Sequence, residues 1–194
     1  MSPGPQKQFD PTEALEKAMH VFWQHGYAGS SMSQLMTEMR IGKKSLYDTF
    51  GNKRELFLKS LDLYGKQSLD RVREILNREG SPLGNLKALF RSYKQDECRG
   101  CFLGTNMADF DLEDPQVSKR FCQHLKNFEK ALEETLLRAQ QAGEVNPELD
   151  AGRLSCLLSC LGQGTALVGR VGQCSQRQQD ALKAVFELLE GSHG

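Results

Sequence analysis

Ser31-Met32-Ser33-Gln34-Leu35-Met36-Thr37-Glu38-Met39-Arg40-Ile41-Gly42-Lys43-Lys44-Ser45-Leu46-Tyr47-Asp48-Thr49-Phe50 is the stretch whose reading decides the fold. Leu35, Met36 and Met39 recur at helical spacing, Gly42 interrupts the pattern, and Leu46 and Phe50 resume it. Ser30 or Ser31 can cap the first segment, because a serine oxygen accepts from the free N–H groups at a helix start. Gly51 and Asn52 close the second. Two short helices around a tight turn then brace each other through Leu35, Met36, Met39, Ile41, Leu46 and Phe50. Lys43, Lys44, Ser45, Tyr47, Asp48 and Thr49 are left outside. That is the plan of a helix-turn-helix, in which residues near the start of the second helix reach base edges in the major groove. An ordinary helical hairpin with a solvated basic face gives the same charge pattern.

Charge around this stretch is local. The whole chain has a formal net charge of zero. Between residues 40 and 59, however, Arg40, Lys43, Lys44, Lys53, Arg54 and Lys59 face only Asp48 and Glu55, a local excess of four positive charges. Phosphate binding responds to such a footprint rather than to the total.

Outward from the motif the periodicity is helical everywhere, and the fold class is all-α. Upstream, a helix from about Thr12 to Gln24 places Leu15, Ala18, Met19 and Phe22 on one face, with Asp10 or Thr12 as cap and Gly26 as stop. Downstream, a long helix starts at Lys53 and runs to about Leu76, and Pro82 opens another that reaches about Tyr93. A short helix spans roughly Leu103 to Phe110, and Asp114-Pro115 starts a long one that ends before Gly143. Asn146-Pro147 predicts the start of an eighth helix extending to about Arg170, and the ninth covers about Gln176 to Leu189. The division expected is a disordered tail over 1–9, a three-helix DNA-binding domain over 10–52, and a six-helix domain over 53–194.

Composition sets limits on function. The chain has 194 residues, 39% hydrophobic and 26% charged, with no apolar run near the roughly 20 residues that would span a bilayer. Met1 to Gln8 lacks the basic and apolar regions of a signal peptide, so a soluble cytoplasmic protein is expected, with no membrane partner. His20, His25, His124 and His193 are scattered, and no nucleophile, base and orienting group stand at a familiar spacing. An enzyme is therefore not expected. Neither is a cofactor or a metal: Cys98 and Cys101 form a single Cys-x-x-Cys without a second pair.

Gly26-Tyr27, Ser30-Ser31, Leu35, Ile41, Ser45-Leu46-Tyr47, Phe50 and Lys53-x-Glu55-Leu56 occur in an order and spacing that resembles the DNA-binding domain of the TetR/AcrR family over residues 10–57. The resemblance implies a TetR-like architecture and a ligand-responsive repressor that binds double-stranded operator DNA as a homodimer. It implies that Ser31 and Ser33 lie near phosphates, that Lys43, Lys44 and Tyr47 read the groove together with Ser45, and that Lys53 grips the backbone. The sequence departs from the family at the turn. Arg40 stands where the family usually has glycine, so a locally different turn is expected, and Gly42 replaces the usual capping serine.

By the same resemblance the effector is a small molecule of unknown identity, held among the fourth to eighth helices. Leu61, Tyr64, Phe90, Tyr93, Met107, Phe110, Phe121, His124, Phe128 and Leu158 are the candidate lining. Tyr64, Tyr93 and His124 would supply its few polar groups. The last two helices form the dimer interface in the family. Leu154, Ser155, Leu157, Leu158, Leu161, Gly162 and Thr165 suit that role here, as apolar knobs beside small residues. An alternative is a regulator of the same type that senses oxidants or electrophiles through Cys98 or Cys101.

Overall fold

A computed structural model describes residues 9–93, 101–107, 114–169 and 175–190. Among them the chain forms nine α-helices and no strand: α1(Pro11–Gly29), α2(Met32–Met39), α3(Lys43–Phe50), α4(Lys53–Leu76), α5(Pro82–Ser92), α6(Phe102–Met107), α7(Pro115–Gln141), α8(Ala151–Gly169) and α9(Ser175–Glu190).

Side-chain caps set most of the boundaries near the motif. Asp10 opens α1 by accepting from the Thr12 N–H at 2.7 Å. The helical path of α1 breaks at Gly26 (φ 73°, ψ 170°), and the Ser30 hydroxyl donates to the Gly26 carbonyl at 2.6 Å. Ser31, rather than Ser30, caps α2, accepting from the Gln34 N–H at 3.1 Å. Between α3 and α4 the chain turns through Gly51 at φ 82°, where a Cβ would sit 1.7 Å from Glu55 Oε2. That oxygen accepts from the Asn52 N–H at 2.9 Å while Asn52 Oδ1 accepts from the Glu55 N–H at 3.0 Å, a reciprocal capping box that only glycine leaves room for.

The turn between α2 and α3 does not change shape to suit Arg40. Arg40 takes the left-handed conformation itself (φ 56°, ψ 41°). Its N–H donates to the Thr37 carbonyl and the Ile41 N–H to the Met36 carbonyl, each at 3.2 Å, which is the pair of hydrogen bonds of a Schellman ending. Ile41 and Met36 both join the core beneath. Burial of these side chains outweighs a backbone cost of about 1–2 kcal/mol. Gly42 then caps α3 with no side-chain hydrogen bond.

Two expectations are corrected. α8 starts at Ala151, not at Asn146-Pro147. Asn146 Oδ1 accepts from the Glu148 N–H at 2.9 Å, and the Gln140 amide donates to the carbonyls of Asn146 and Leu149, so residues 146–149 are held as a turn. Asp150 is the true cap, accepting from the Arg153 N–H at 2.8 Å. The predicted tail does not include Phe9, whose ring packs 6.4 Å from Phe50 and against the core. The sixth helix is described only as far as Met107; its expected continuation to Phe110 lies outside the described residues.

Two hydrophobic cores stack along α4. The upper one joins α1, α2 and α3 to Leu56, Phe57, Leu58 and Leu61 of α4, to Phe102 and Leu103 of α6, and to Val117 and Phe121 of α7. The lower one gathers Val72, Ile75 and Leu76 of α4 with α5, α8, α9 and the second half of α7. The upper core does not stop at the 52/53 boundary.

The turn makes a measurable claim. Arg40→Gly should raise stability by about 0.5–1 kcal/mol, the left-handed cost less the extra freedom glycine gives the unfolded chain. Gly42→Ser should add a similar increment through a new cap, since φ is −74° and a Cβ there meets nothing within 4 Å. Urea unfolding of both variants checks this; a lower midpoint for either overturns the account of the turn.

Candidate functional site

α3 is two-faced. Leu46 and Phe50 turn inward and are buried, while Lys43, Lys44 and Asp48 are exposed and Tyr47 keeps 45% of its surface in solvent. Ser45 is half-buried on the same short helix. Ser31 spends an acceptor lone pair on the cap of α2 but keeps its hydroxyl hydrogen for an outside acceptor. Ser33 is exposed. Lys53, the first residue of α4, places its ammonium 4.5 Å above the Tyr27 ring, which fixes a cation beside the start of that helix. None of the seven residues expected to touch DNA, Ser31, Ser33, Lys43, Lys44, Ser45, Tyr47 and Lys53, is buried. Lys59 was counted in the sequence only as charge. Its ammonium donates to the Thr49 carbonyl at 3.1 Å and lies 5.7 Å from the Phe50 ring, steadying the C-terminal end of α3.

The next residue of α4, Arg54, ties the start of that helix to α7. Arg54 forms a bidentate pair with Asp114, Nε to Oδ2 at 2.6 Å and Nη2 to Oδ1 at 2.8 Å, and also donates to Gln116 Oε1 at 3.3 Å. Asp114 caps α7 at the same time, accepting from the N–H groups of Gln116 and Val117. The Arg54 hydrogen bonds, helped by those backbone donors, hold the Asp114 carboxyl down at about 2. Farther on, Arg120 of α7 donates to the Leu58 carbonyl and pairs with Asp62.

The candidate effector residues divide between the two cores. Leu61 and Phe121 are buried in the upper one, against which Met107 packs, while Phe90 and Leu158 are buried in the lower one, against which Phe128 packs. Phe110 lies outside the described residues. Tyr93 is more than one-third exposed and meets Phe90 edge-on at 5.9 Å. Tyr64 stacks on Phe102 at 5.0 Å, meets Trp23 edge-on at 5.2 Å, and holds its Oη 3.6 Å from the Cys101 sulfur. Burial pushes its phenol well above the usual range. Its neighbour Gly65 makes room for His124: a Cβ there would lie 2.1 Å from the imidazole. Burial lowers the His124 pKa against the opposing pull of Asp62, whose Oδ1 is 3.6 Å from Nε2.

Trp23, Phe102 and Gly65 were not singled out from the sequence. Trp23 and Phe102 look like plain core residues, and only the tertiary fold brings them to Tyr64. Cys98 lies outside the described residues, and Cys101 is half-buried. Among the described residues no group of three or more His, Cys, Asp or Glu side chains could hold a metal ion, and no helix is long and apolar enough to cross a membrane.

The small-residue stripe of α8 separates into two faces. Ser155, Leu158 and Gly162 are buried in the protomer's own interior, a Cβ on Gly162 lying 3.3 Å from the Phe90 ring, so they have no surface to offer a partner. This corrects the interface expected from them. Leu154, Leu161 and Thr165 are half-buried, and Leu157 is 50% exposed. Leu167 at 56%, Val168 at 40% and, on α9, Leu188 at 76% extend the outward apolar surface.

Comparison with known proteins gives this geometry a context. Residues 14–59 match the family described as bacterial regulatory proteins, tetR family, and residues 82–185 match the tetracyclin repressor-like C-terminal domain. The chain is 28% identical over 193 residues to the uncharacterized HTH-type transcriptional regulator YezE of Bacillus subtilis, covering 96% of this chain and 100% of that one. It is 29% identical over 193 residues to the HTH-type transcriptional repressor ComR of Escherichia coli, covering 96% and 92%. Among solved structures, a cysteine-substituted CifR bound to 26-base-pair operator DNA superposes with a TM-score of 0.83 at 23% identity, covering 94% and 98%. The reduced form of Escherichia coli NemR gives 0.81 at 18% identity, covering 90% and 94%.

The Arg54–Asp114 pair predicts a specific acid response. A carboxyl held below its ordinary value contributes stability above about pH 4 that is lost as the pH falls toward about 2. Asp114→Asn keeps a capping oxygen but not the charge, so its unfolding midpoint should depend less steeply on pH across that window. Equal slopes for the two proteins in an acid titration would show that the pair does not carry the effect.

Proposed function

The chain belongs to the TetR family of bacterial regulatory proteins, DNA-binding transcriptional regulators, and from that premise we propose that it is a homodimeric repressor released from its operator by a small organic molecule. One observation carries the reading: α3 buries Leu46 and Phe50 while presenting Lys43, Lys44 and Tyr47 to solvent, next to Lys53 fixed over Tyr27. A helix anchored on one side and basic on the other can enter a major groove without losing its own core. In this reading Ser31, Ser33 and Lys53 hold phosphates, and Lys43, Lys44, Ser45 and Tyr47 face the bases. Residues 10–52 form the DNA-binding unit and 53–194 the unit that binds effector and partner.

Two matched half-sites need two protomers at a fixed separation. The outward face of α8, with Leu157, Leu167 and Val168, and Leu188 of α9 supply the apolar surface for a second copy. The effector enters the interior around Tyr64, between the two cores. Because α4 contributes to both cores and starts at Lys53, a shift of its lower half moves the DNA-contacting end. A ligand that binds the shifted state more tightly lowers operator affinity by that difference.

A second reading is favoured by one contact, the 3.6 Å approach of Cys101 Sγ to Tyr64 Oη. Oxidation or alkylation of this half-buried thiol would force bulk against a ring stacked on Phe102 and Trp23. The same α4 would then be displaced without a bound effector.

Fluorescence anisotropy on the chain's own upstream DNA tests the first reading. Tyr47→Ala and Lys53→Ala should each weaken binding, and Lys53→Ala should reduce the log–log salt slope by about 1. Leu157→Glu should elute as a monomer and lose the operator. Absence of specific, salt-sensitive binding by the unmodified protein would sink the proposal. For the second reading, peroxide should release DNA from the unmodified protein but not from Cys101→Ser; release from both excludes Cys101 as the sensor.

A further inference from the structure

A lysine opens α4, and its position is not one that the helix favours. The start of a helix carries partial positive charge, so an ammonium there stands against the dipole. A ring from another helix offsets this: Lys53 Nζ lies 4.5 Å from the centre of the Tyr27 ring. The face of an aromatic ring is negative and attracts a cation.

Tyr27 reaches that position because α1 breaks one residue before it. Gly26 turns at φ 73°, and Ser30 closes the break, its hydroxyl donating to the Gly26 carbonyl at 2.6 Å and its N–H to the Tyr27 carbonyl at 3.4 Å. The half-buried ring then meets Phe57 edge-on at 5.2 Å and stacks on Phe22 at 6.1 Å, both of them buried. Burial pushes the Tyr27 phenol up, so it stays neutral and meets Lys53 as a ring rather than as a phenolate. Arg54, the next cation along α4, spends its guanidinium on Asp114 in a bidentate pair.

An ammonium has three N–H groups to give. A ring on one side of it leaves the other side for a phosphate oxygen. Ordering a long side chain at the moment of binding costs roughly two- to tenfold in affinity, and a side chain already held escapes that cost. We propose that Tyr27 is a positioning residue for operator binding, acting only through Lys53, whose ammonium the negative face of its ring holds ready for the DNA backbone. This rests on the reading of Lys53 as a phosphate contact and adds to it a residue that sets affinity from one layer behind the DNA. In a homodimer the effect counts twice.

Ring electronics can be changed at constant shape. Tyr27→Phe and its monofluoro-, difluoro- and trifluoro-phenylalanine counterparts at residue 27 are compared in the full-length protein, because each fluorine drains the negative face while leaving an apolar ring to fill the same place. Fluorescence anisotropy on the chain's own upstream DNA should show affinity falling step by step along the series, by at least about threefold from phenylalanine to the trifluoro form, with Tm nearly constant. In a Lys53→Ala background the same series should be flat. A flat series with Lys53 present, or an equal fall with and without it, overturns the positioning role, since packing alone gives one or the other. If Lys53→Ala itself leaves operator affinity unchanged, the phosphate contact fails and the role of Tyr27 falls with it. If Lys53→Ala weakens binding but the series does not depend on Lys53, the phosphate contact stands and the positioning role alone is lost.

Discussion

Phe57 is the side chain on which the rest of the structure depends. It is fully buried, meets Phe22 and Tyr27 of α1 edge-on at 5.2 Å each, and stacks on Phe102 of α6 at 5.8 Å. One ring on α4 therefore holds α1, beneath the helix-turn-helix motif, and α6 against the same surface. Burying a phenylalanine contributes about 2–3 kcal/mol, and its aromatic neighbours add to that through edge-to-face contact. Because Tyr27 also sits under the Lys53 ammonium, the aromatic cluster reaches from the solvent-facing start of α4 to Tyr64 and Cys101 inside.

α4 is therefore a lever fixed at two levels. Above, apolar burial and the Arg54–Asp114 pair tie it to α1, α6 and the start of α7. Below, Val72, Ile75 and Leu76 belong to a different core shared with α5, α8 and α9. Between the levels lie Gly65 and His124, where an imidazole occupies the space that a side chain on residue 65 would take. Cores resist small deformations because they are close-packed, so a change between two levels is concentrated where packing is least complete.

Near the DNA-facing motif the fold was legible in the chain almost residue by residue. α3 and α4 begin and end where glycine, asparagine and the apolar period place them, since caps and turns are contacts between residues three or four apart. Legibility failed where a local signal had a rival. Asn146-Pro147 reads as a helix start, but Gln140, six residues earlier, holds that segment as a turn and Asp150 takes the cap. On α8 the sequence shows a stripe of leucines and small residues without saying which side of it turns inward. Leu157 and Leu158 are neighbours in the chain, yet one is half-exposed and the other fully buried.

The amino-acid sequence by itself determined the helical class, the motif with its basic outer face, and the glycines and serines that punctuate it, because each follows from periodicity, capping and charge within a few residues. Tertiary structure alone decided that Trp23, Tyr64, Phe102 and Cys101 meet, that Gly65 yields its space to His124, and that a side-chain oxygen of Asn106 and one of Gln163 are each buried without a hydrogen-bond partner. Those contacts join residues tens of positions apart. Their existence depends on how whole helices are set against one another, which no short window of sequence contains.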